Sequence, residues 1–148
     1  MPEAIRVAVI GCGGIAREIY LPLLDASADA HICACVDASA EVRGTLSDRY
    51  PNASVLADAA ELDAEACDCA LVLTPVRAEL DAHYEPVLAL MEAGVPTLCE
   101  KPLSADLTRA EEMVAASERT GTLLLMSVNR RFAPVYRRAY EHFAGHQI

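Results

Sequence analysis

The sequence predicts an α/β fold, a doubly wound parallel sheet with helices on both faces. Three observations support this prediction. Short β-rich apolar runs alternate with longer stretches rich in Ala and Glu, as strands alternate with helices in such folds. The runs are continuously apolar, which is typical of parallel strands that are buried on both sides. A glycine-rich loop follows the first run, at the point where a helix should begin.

The individual elements follow from this alternation. The predicted strands cover residues 5–10, 31–36, 54–56, 69–73, 96–99 and 122–128. The predicted helices cover residues 14–26, 39–49, 58–64, 77–93 and 108–120, and a last helix runs from Pro134 to near Gly145. Pro22 should shorten or kink the first helix. Thr108 and Glu111 have the spacing of a capping box, and Gly94 and Gly121 should end the helices that precede them.

Length and composition narrow the class of protein. A chain of 148 residues, 53% of them apolar, is long enough for one full domain and too short for two. We expect one α/β domain over residues 1–128 and a terminal helix over 129–148. The net charge of −10 argues against a nucleic-acid surface or an anionic membrane as the partner. No apolar run reaches the roughly 18–20 residues of a membrane span, so a cytoplasmic protein is expected.

The six cysteines do not have the spacing of a metal site. Cys33 with Cys35, and Cys67 with Cys69, are separated by one residue, whereas zinc sites usually separate two cysteines by two residues or more. Most of the six lie within apolar runs. We therefore expect small buried side chains in a reducing compartment, with no bound metal.

The glycine-rich loop has the pattern of a dinucleotide-binding turn. In "VAVIGCGGIARE" Gly11 permits a tight turn, Gly13 lets the backbone approach a pyrophosphate, and the small Ala16 lets the helix pack close to the strand. The pyrophosphate would accept hydrogen bonds at the helix N-terminus. The predicted cofactor site also includes the intervening residues, which are Cys12, Gly14 and Ile15.

An acid follows the second strand. Asp37 lies about 20 residues beyond the loop, where a carboxylate accepts hydrogen bonds from the adenosine ribose. Because a carboxylate repels a 2′-phosphate, NAD is favoured over NADP, although the nearby Arg43 keeps NADP possible. Ser39 is included in the same predicted site. Two alternatives stay open at this point: Asp37 only caps the next helix, or the loop and the acid bind S-adenosylmethionine in a methyltransferase.

Two further strand ends are polar, and they carry a family resemblance. "LVLTP" ends in Thr74 and Pro75, and "TLCEKP" ends in Glu100-Lys101-Pro102. With "GCGGIA", "VDAS", "EAGVPTLCEKPL" and "NRRF-x-P" in this order, the chain resembles the nucleotide-binding half of the Gfo/Idh/MocA family (glucose–fructose oxidoreductase, inositol dehydrogenase and MocA). The resemblance extends from Arg6 to about Arg138, and the strand that leads into Glu-Lys-Pro is its most specific part.

The resemblance implies a Rossmann-like domain and roles for individual residues. Lys101 would be catalytic, beside the nicotinamide and the substrate hydroxyl, where it orients both. Glu100 would contact the nicotinamide ribose or hold Lys101 in place, and a cis bond before Pro102 would aim Lys101 into the cleft. The remaining implied site residues line or border the nicotinamide side of that cleft: Thr74, Pro75, Asn129 and Arg130.

His83 matches a histidine of the family, but the sequence departs from the family pattern there. The segment between Thr74-Pro75 and His83 is about four residues longer than is usual in the family. His83 is therefore either a second catalytic candidate or a surface residue of its helix. The resemblance also implies that residues 1–128 are the dinucleotide-binding domain, and that residues 129–148 are a terminal helix and the start of the family's second, α+β domain. That domain usually supplies substrate contacts and acid–base groups, and we expect the rest of it to be absent from this chain.

The resemblance therefore implies part of an oxidoreductase. Such an enzyme would transfer a hydride between a nicotinamide cofactor and a sugar, cyclitol or related polyol, while the isolated chain would bind cofactor with little or no turnover. A second hypothesis is a non-enzymatic dinucleotide sensor or a binding subunit that another chain completes. The face left by the absent domain would in either case favour self-association.

Overall fold

A computed structural model of the chain describes residues 3–77 and 79–145. The strands are β1 (Ile5–Ile10), β2 (Ala30–Val36), β3 (Ser54–Leu56), β4 (Cys69–Val72), β5 (Val76–Arg77), β6 (Leu80–Asp81), β7 (Thr97–Cys99) and β8 (Leu124–Met126). The α-helices are α1 (Leu21–Asp25), α2 (Ala40–Arg49), α3 (Tyr84–Glu92), α4 (Leu107–Thr120) and α5 (Pro134–Phe143). A π-helical segment, Ala16–Tyr20, precedes α1, and 3₁₀ turns cover Ala59–Glu61, Ala64–Ala66 and Asn129–Phe132.

Six of the strands form one parallel sheet in the order β3-β2-β1-β4-β7-β8. The chain moves outward from β1 in one direction and then, from β4, in the other, which is the doubly wound arrangement with its switch point between β1 and β4. The predicted fold class is confirmed. The boundary that the sequence suggests after residue 128 stays a prediction.

The core has two halves because successive strand residues point to opposite faces of the sheet. On β1, Val7 and Val9 face the first helix and α2, whereas Ala8 and Ile10 face α3 and α4. Met113 of α4 is fully buried on the second face. Both faces are thus covered, which explains why the strands read as continuous apolar runs. No helix in the described ranges is both long and apolar enough to cross a membrane.

The cysteines contribute to this packing. All six are unpaired, and each is buried or half-buried. Burial raises the pKa of Cys99 to about 12 and that of Cys33 to about 11. These two thiols therefore stay protonated at neutral pH and pack as small apolar groups.

Two predicted helices differ from the structure. The helix predicted over residues 58–64 is replaced by two 3₁₀ turns, because the backbone is extended at Leu62 and Asp63, between the two turns. Asp58 and Asp63 are the N-caps of these turns, and each side chain accepts a hydrogen bond from the backbone N–H two residues on. Within 77–93, only α3 is helical. The first described residues of this range belong to an antiparallel ribbon of β5 and β6. Residue 78, which falls in the predicted helix, lies outside the described residues.

The structure differs from the prediction at one helix start and agrees with it at two helix ends. The capping box at Thr108 is wrong, since α4 begins one residue earlier and Asp106 caps it by accepting from the Arg109 N–H at 3.1 Å. The predicted glycine ends are confirmed: Gly94 and Gly121 have left-handed φ values of 73° and 69°. Pro22 does not end the first helix, because it lies in the first turn of α1, directly after the π-helical segment. A kink at Pro22 stays a prediction.

The register of the sheet brings five strand ends level with one another. The paired terminal residues are Ile10 with Val36, Ile10 with Val72, Val72 with Cys99, and Cys99 with Met126. The next residue of each strand continues the ladder, for example Glu100 N–H to the Val72 carbonyl and Ser127 N–H to the Cys99 carbonyl, both at 2.8 Å. The loops that follow all five strands therefore leave the sheet at the same edge.

We predict that Gly11→Ala destabilises the fold. Gly11 has a φ of 85°, and a Cβ there would lie 2.7 Å from the Thr74 nitrogen. We expect the free energy of unfolding in urea to fall by about 1–3 kcal/mol. Gly13→Ala is the matched control, because a Cβ on Gly13 meets nothing within 4 Å. Equal stability of the two variants would contradict this account of the turn.

Candidate functional site

The glycine-rich loop passes from β1 directly into the first helix. The Arg17 N–H is bonded to the Gly13 carbonyl at 3.0 Å, so the N–H groups of the preceding turn point out of the helix end. Ala16 is fully buried against the sheet, which draws this helix end close to β1. The space where Gly13 lacks a side chain is open. The loop thus presents backbone donors in an accessible place, as a pyrophosphate requires.

Asp37 is held in position by backbone N–H groups on both sides. Its Oδ2 accepts from the Cys12 N–H and its Oδ1 from the Ser39 N–H, each at 2.9 Å. The Cys12 side chain is buried in the core, so Cys12 contributes its backbone only. Ser39, rather than Asp37, is the N-cap of α2. A carboxylate has about four acceptor positions, so Asp37 keeps two for the hydroxyls of a ribose.

Arg43 lies beside this carboxylate but is bonded elsewhere. One of its terminal nitrogens, Nη1, donates to the carbonyls of Asp37 and Ala38, at 2.8 and 2.9 Å. The guanidinium therefore fastens the turn between β2 and α2. An arginine next to the acid that binds the adenosine ribose would suit the 2′-phosphate of NADP, and Arg43 lies at that place.

Glu100 is buried, with 6% of its surface exposed, directly after β7. Its Oε1 accepts from the Tyr20 hydroxyl at 2.8 Å, and its Oε2 accepts from the Lys101 N–H at 2.9 Å. The Tyr20 hydroxyl also bonds the Ser127 hydroxyl at 2.8 Å. In this structure Glu100 therefore holds the backbone of Lys101 and not its ammonium group. The expectation that Glu100 contacts the nicotinamide ribose stays a prediction.

Lys101 is exposed and borders a cleft of about 670 Å³. The cleft is also lined by Asn129 and Arg130, which follow β8, and by Tyr136 of α5. The peptide bond between Lys101 and Pro102 is cis. Within the described ranges Lys101 forms no salt bridge, so its ammonium group is available to a ligand in the cleft.

Thr74 and Pro75 follow the end of β4, beside the glycine-rich loop. The Thr74 hydroxyl donates to the Ala82 carbonyl at 2.7 Å, and the Ala82 N–H donates to the Pro75 carbonyl. These two bonds anchor the ribbon of β5 and β6 to the end of β4. Thr74 also packs against Gly11, so the strand end and the glycine-rich loop are in contact.

His83 is buried, with 1% of its surface exposed, and is not a surface residue of α3. Its Nδ1 lies 3.0 Å from the Pro102 carbonyl and 3.3 Å from the Leu103 carbonyl. Because carbonyls only accept, Nδ1 carries the proton. His83 thus fastens the chain just beyond Lys101, without access to the cleft. Asp81 holds the same stretch of chain, because it accepts a hydrogen bond from the Ser104 hydroxyl.

The sequence did not indicate two of these residues. Tyr20 and Ser127 carry no motif. The Tyr20 hydroxyl is bonded to Glu100 across 80 positions of the chain and to Ser127 across 107 positions. Near Tyr20, Pro22 is the one sequence feature that indicates an irregular helix. Burial is the main factor that raises the pKa of Tyr20, with the Glu100 carboxylate acting in the same direction, so the phenol keeps its proton at neutral pH.

The residues present suit a dinucleotide. Backbone donors at a helix N-terminus suit the pyrophosphate, and the two remaining acceptor positions of Asp37 suit a ribose diol. Lys101 lies at the same sheet edge, beyond the switch point, where ligands of open α/β sheets bind. In the described part of the chain no three His, Cys, Asp or Glu side chains are grouped as metal ligands.

Comparisons with known proteins agree with this site. A family model for Gfo/Idh/MocA, described as an oxidoreductase family with an NAD-binding Rossmann fold, matches residues 5–128. Myo-inositol dehydrogenase Hyg17 of Streptomyces leeuwenhoekii is 45% identical over 130 residues, 88% of this chain and 38% of that protein. D-glucoside 3-dehydrogenase of Escherichia coli K12 is 33% identical over 130 residues, 87% of this chain and 36% of that protein.

Solved structures of the same kind superpose closely. KijD10, a 3-ketoreductase from Actinomadura kijaniata in complex with TDP-benzene and NADP, has a TM-score of 0.81 and 28% identity, over 95% of this chain and 43% of that one. An oxidoreductase from Agrobacterium radiobacter in complex with NAD⁺, L-tartaric acid and magnesium has a TM-score of 0.81 and 25% identity, over 95% and 41%. The chain spans less than half the length of each of these proteins.

The family match also excludes the methyltransferase alternative, because it covers the glycine-rich loop, the acid after β2 and the Glu-Lys-Pro stretch together. The chain belongs to the Gfo/Idh/MocA family of oxidoreductases, and it contains the NAD(P)-binding Rossmann domain of that family.

Proposed function

We propose that this chain is the cofactor-binding part of an oxidoreductase that transfers a hydride between NAD and a sugar, cyclitol or related polyol. One observation carries the proposal: the exposed Lys101 leaves the sheet at the same edge as the glycine-rich loop and Asp37. A dinucleotide bound along that edge would reach from Asp37, at its adenosine end, to Lys101, at its nicotinamide end.

The residues would divide the work between binding and chemistry. The helix end would bind the pyrophosphate, and Thr74 and Pro75 would border the nicotinamide. The bound nicotinamide would supply the hydride chemistry. Lys101 would orient the substrate hydroxyl, and its positive charge would stabilise the developing carbonyl oxygen. Asn129 and Arg130 would contact the substrate from the far side of the cleft.

His83 has a different role in this proposal. A catalytic acid or base must come within hydrogen-bond distance of the proton that it transfers, and a side chain with 1% exposure does not reach the cleft. We therefore assign His83 to fastening the Pro102-Leu103 turn.

The cytoplasmic location expected from the sequence stays a prediction.

We predict that the chain binds NADH and ADP-ribose but not S-adenosylmethionine, as measured by titration calorimetry. Lys101→Ala should retain the ADP-ribose affinity within about twofold, because a side chain at the nicotinamide end makes no contact with the adenosine half. Its NADH affinity should change, because the ammonium group borders the nicotinamide. The proposal fails if neither nicotinamide cofactor binds to the unmodified chain.

We also predict a preference for NADH over NADPH that depends on Asp37. Asp37→Ser should lower the NADH affinity about tenfold, since it removes a charged acceptor of the ribose hydroxyls, and should retain or raise the NADPH affinity. Calorimetric titrations with both cofactors measure the ratio. Asp58→Ser is the matched control, because Asp58 also follows a strand and also accepts from the backbone two residues on. An unchanged ratio in Asp37→Ser would contradict the assignment.

A specific observation supports a second candidate, a binding subunit completed by a second copy of the chain. A surface that we call the C-terminal face exposes large apolar side chains on and beside β8 and α5: Leu123, Leu125, Met126, Phe132, Val135 and Tyr140. Two grooves lie on this face, of about 330 and 870 Å³, and Phe132 lines both of them. Exposed apolar surface on this scale, next to an edge strand, favours association.

We predict that this face mediates self-association in solution. Sedimentation velocity over a wide range of concentration should show a dimer for the unmodified chain, and Leu125→Glu should shift it to a monomer because a charge is costly to bury in an apolar contact. Leu107→Glu is the matched control, since Leu107 is also exposed but begins α4, away from this face. A monomer at every concentration would exclude the second candidate and leave the cofactor-binding proposal intact.

A further inference from the structure

We infer that Tyr20, supported by Ser127, is a positioning residue that places Lys101 through the Glu100 carboxylate. The inference rests on the proposed function of Lys101. It concerns a hydrogen-bonded chain that joins three parts of the site, the first helix, the end of β7 and the end of β8.

The direction of the hydrogen bonds follows from the groups involved. An ionised carboxylate only accepts, so the single hydroxyl hydrogen of Tyr20 is donated to Glu100. The Ser127 hydroxyl, 2.8 Å away, must then donate to the Tyr20 oxygen. The Lys101 N–H donates to the other oxygen of Glu100. Each bond thus has one donor, and they run from Ser127 through Tyr20 to Glu100, where Lys101 also donates.

Glu100 depends on Tyr20 because it has few other partners. Its carboxylate is buried, and among the described residues its hydrogen-bond donors are the Tyr20 hydroxyl and the Lys101 N–H. No salt bridge to Glu100 occurs in these ranges. A buried charge without enough donors is costly, so loss of the Tyr20 hydroxyl would drive the carboxylate to move towards water. The Lys101 backbone is bonded to that carboxylate and would move with it.

The helix that carries Tyr20 is built unusually at this point. Leu21 donates its N–H to the Ala16 carbonyl, five residues back, as in a π-helix. Pro22 has no N–H, and its ring would clash with the Glu18 carbonyl in a regular α-helix. The wider turn avoids that clash. It also sets the position from which the Tyr20 side chain reaches the ends of β7 and β8.

The chain provides a matched control in Tyr50. Its hydroxyl also donates to a carboxylate, Oδ2 of Asp25, at 3.1 Å. Asp25 ends α1, whereas the Tyr20 hydroxyl bonds residues that follow the carboxyl ends of β7 and β8. Tyr50→Phe therefore removes the same chemical group without touching the site.

The first test is hydrogen exchange at the Lys101 amide, followed by NMR without any ligand. In Tyr20→Phe this amide should exchange about tenfold faster, while the Val9 amide in the core strand β1 should change little. Ser127→Ala should give a smaller acceleration in the same direction. Tyr50→Phe should leave Lys101 unchanged. Equal acceleration of Lys101 and Val9 would show a loss of global stability only, and an unchanged Lys101 would overturn the inference.

The second test is calorimetry with NADH and ADP-ribose. Tyr20→Phe should weaken NADH about tenfold and leave ADP-ribose within about twofold, since only the nicotinamide end of the site is displaced. An equal loss for both ligands would overturn the inference. If the unmodified chain binds neither ligand, the proposed function fails, whereas the exchange measurement still decides whether Tyr20 positions Lys101.

Discussion

The site depends on the register of the parallel sheet. Because Val36, Ile10, Val72, Cys99 and Met126 are paired in one row, the loops that follow them begin at the same height above the sheet. A slip of one residue on any strand would turn its apolar side chains to the wrong face and would move its loop out of the site. The apolar packing that fixes the register of the strands therefore also fixes the geometry of the site.

Asp37 and Glu100 are held in the site by neutral donors, and among the described residues neither carboxylate forms a salt bridge. Asp37 is held by two backbone N–H groups, and Glu100 by one backbone N–H and one phenol. These donors fix the direction of each carboxylate and leave some of its acceptor positions open to a bound ligand. A protein with a net charge of −10 can hold an anionic cofactor because the pyrophosphate would be bound by the N–H groups of a helix end, which act locally, and not by the overall field.

The turn that carries Lys101 is fastened on both sides. On one side the Glu100 carboxylate, itself bonded to Tyr20, accepts from the Lys101 N–H. On the other side His83 and Asp81 hold the turn that follows Lys101. These contacts come from the first helix, from the segment before α3 and from the strand ends, so the lysine backbone is fixed while its side chain stays free to meet a ligand. A site that is rigid in its support and open at its charged group suits the orientation of a substrate, which contributes strongly to catalysis when it is accurate.

The sequence by itself determined the strands, their parallel pairing, the glycine-rich loop and the two polar strand ends, because these depend on local patterns and on apolar periodicity. It did not determine the ribbon of β5 and β6, the burial of His83 or the roles of Tyr20 and Ser127. The ribbon is local, but it is anchored by the bonds of Thr74 and Pro75 to Ala82, which no sequence pattern indicates. The burial of His83 and the roles of Tyr20 and Ser127 depend on contacts between residues farther apart in the chain, such as the 80 positions between Tyr20 and Glu100. Only the tertiary structure decides them, since a hydroxyl has no function until packing brings an acceptor within reach.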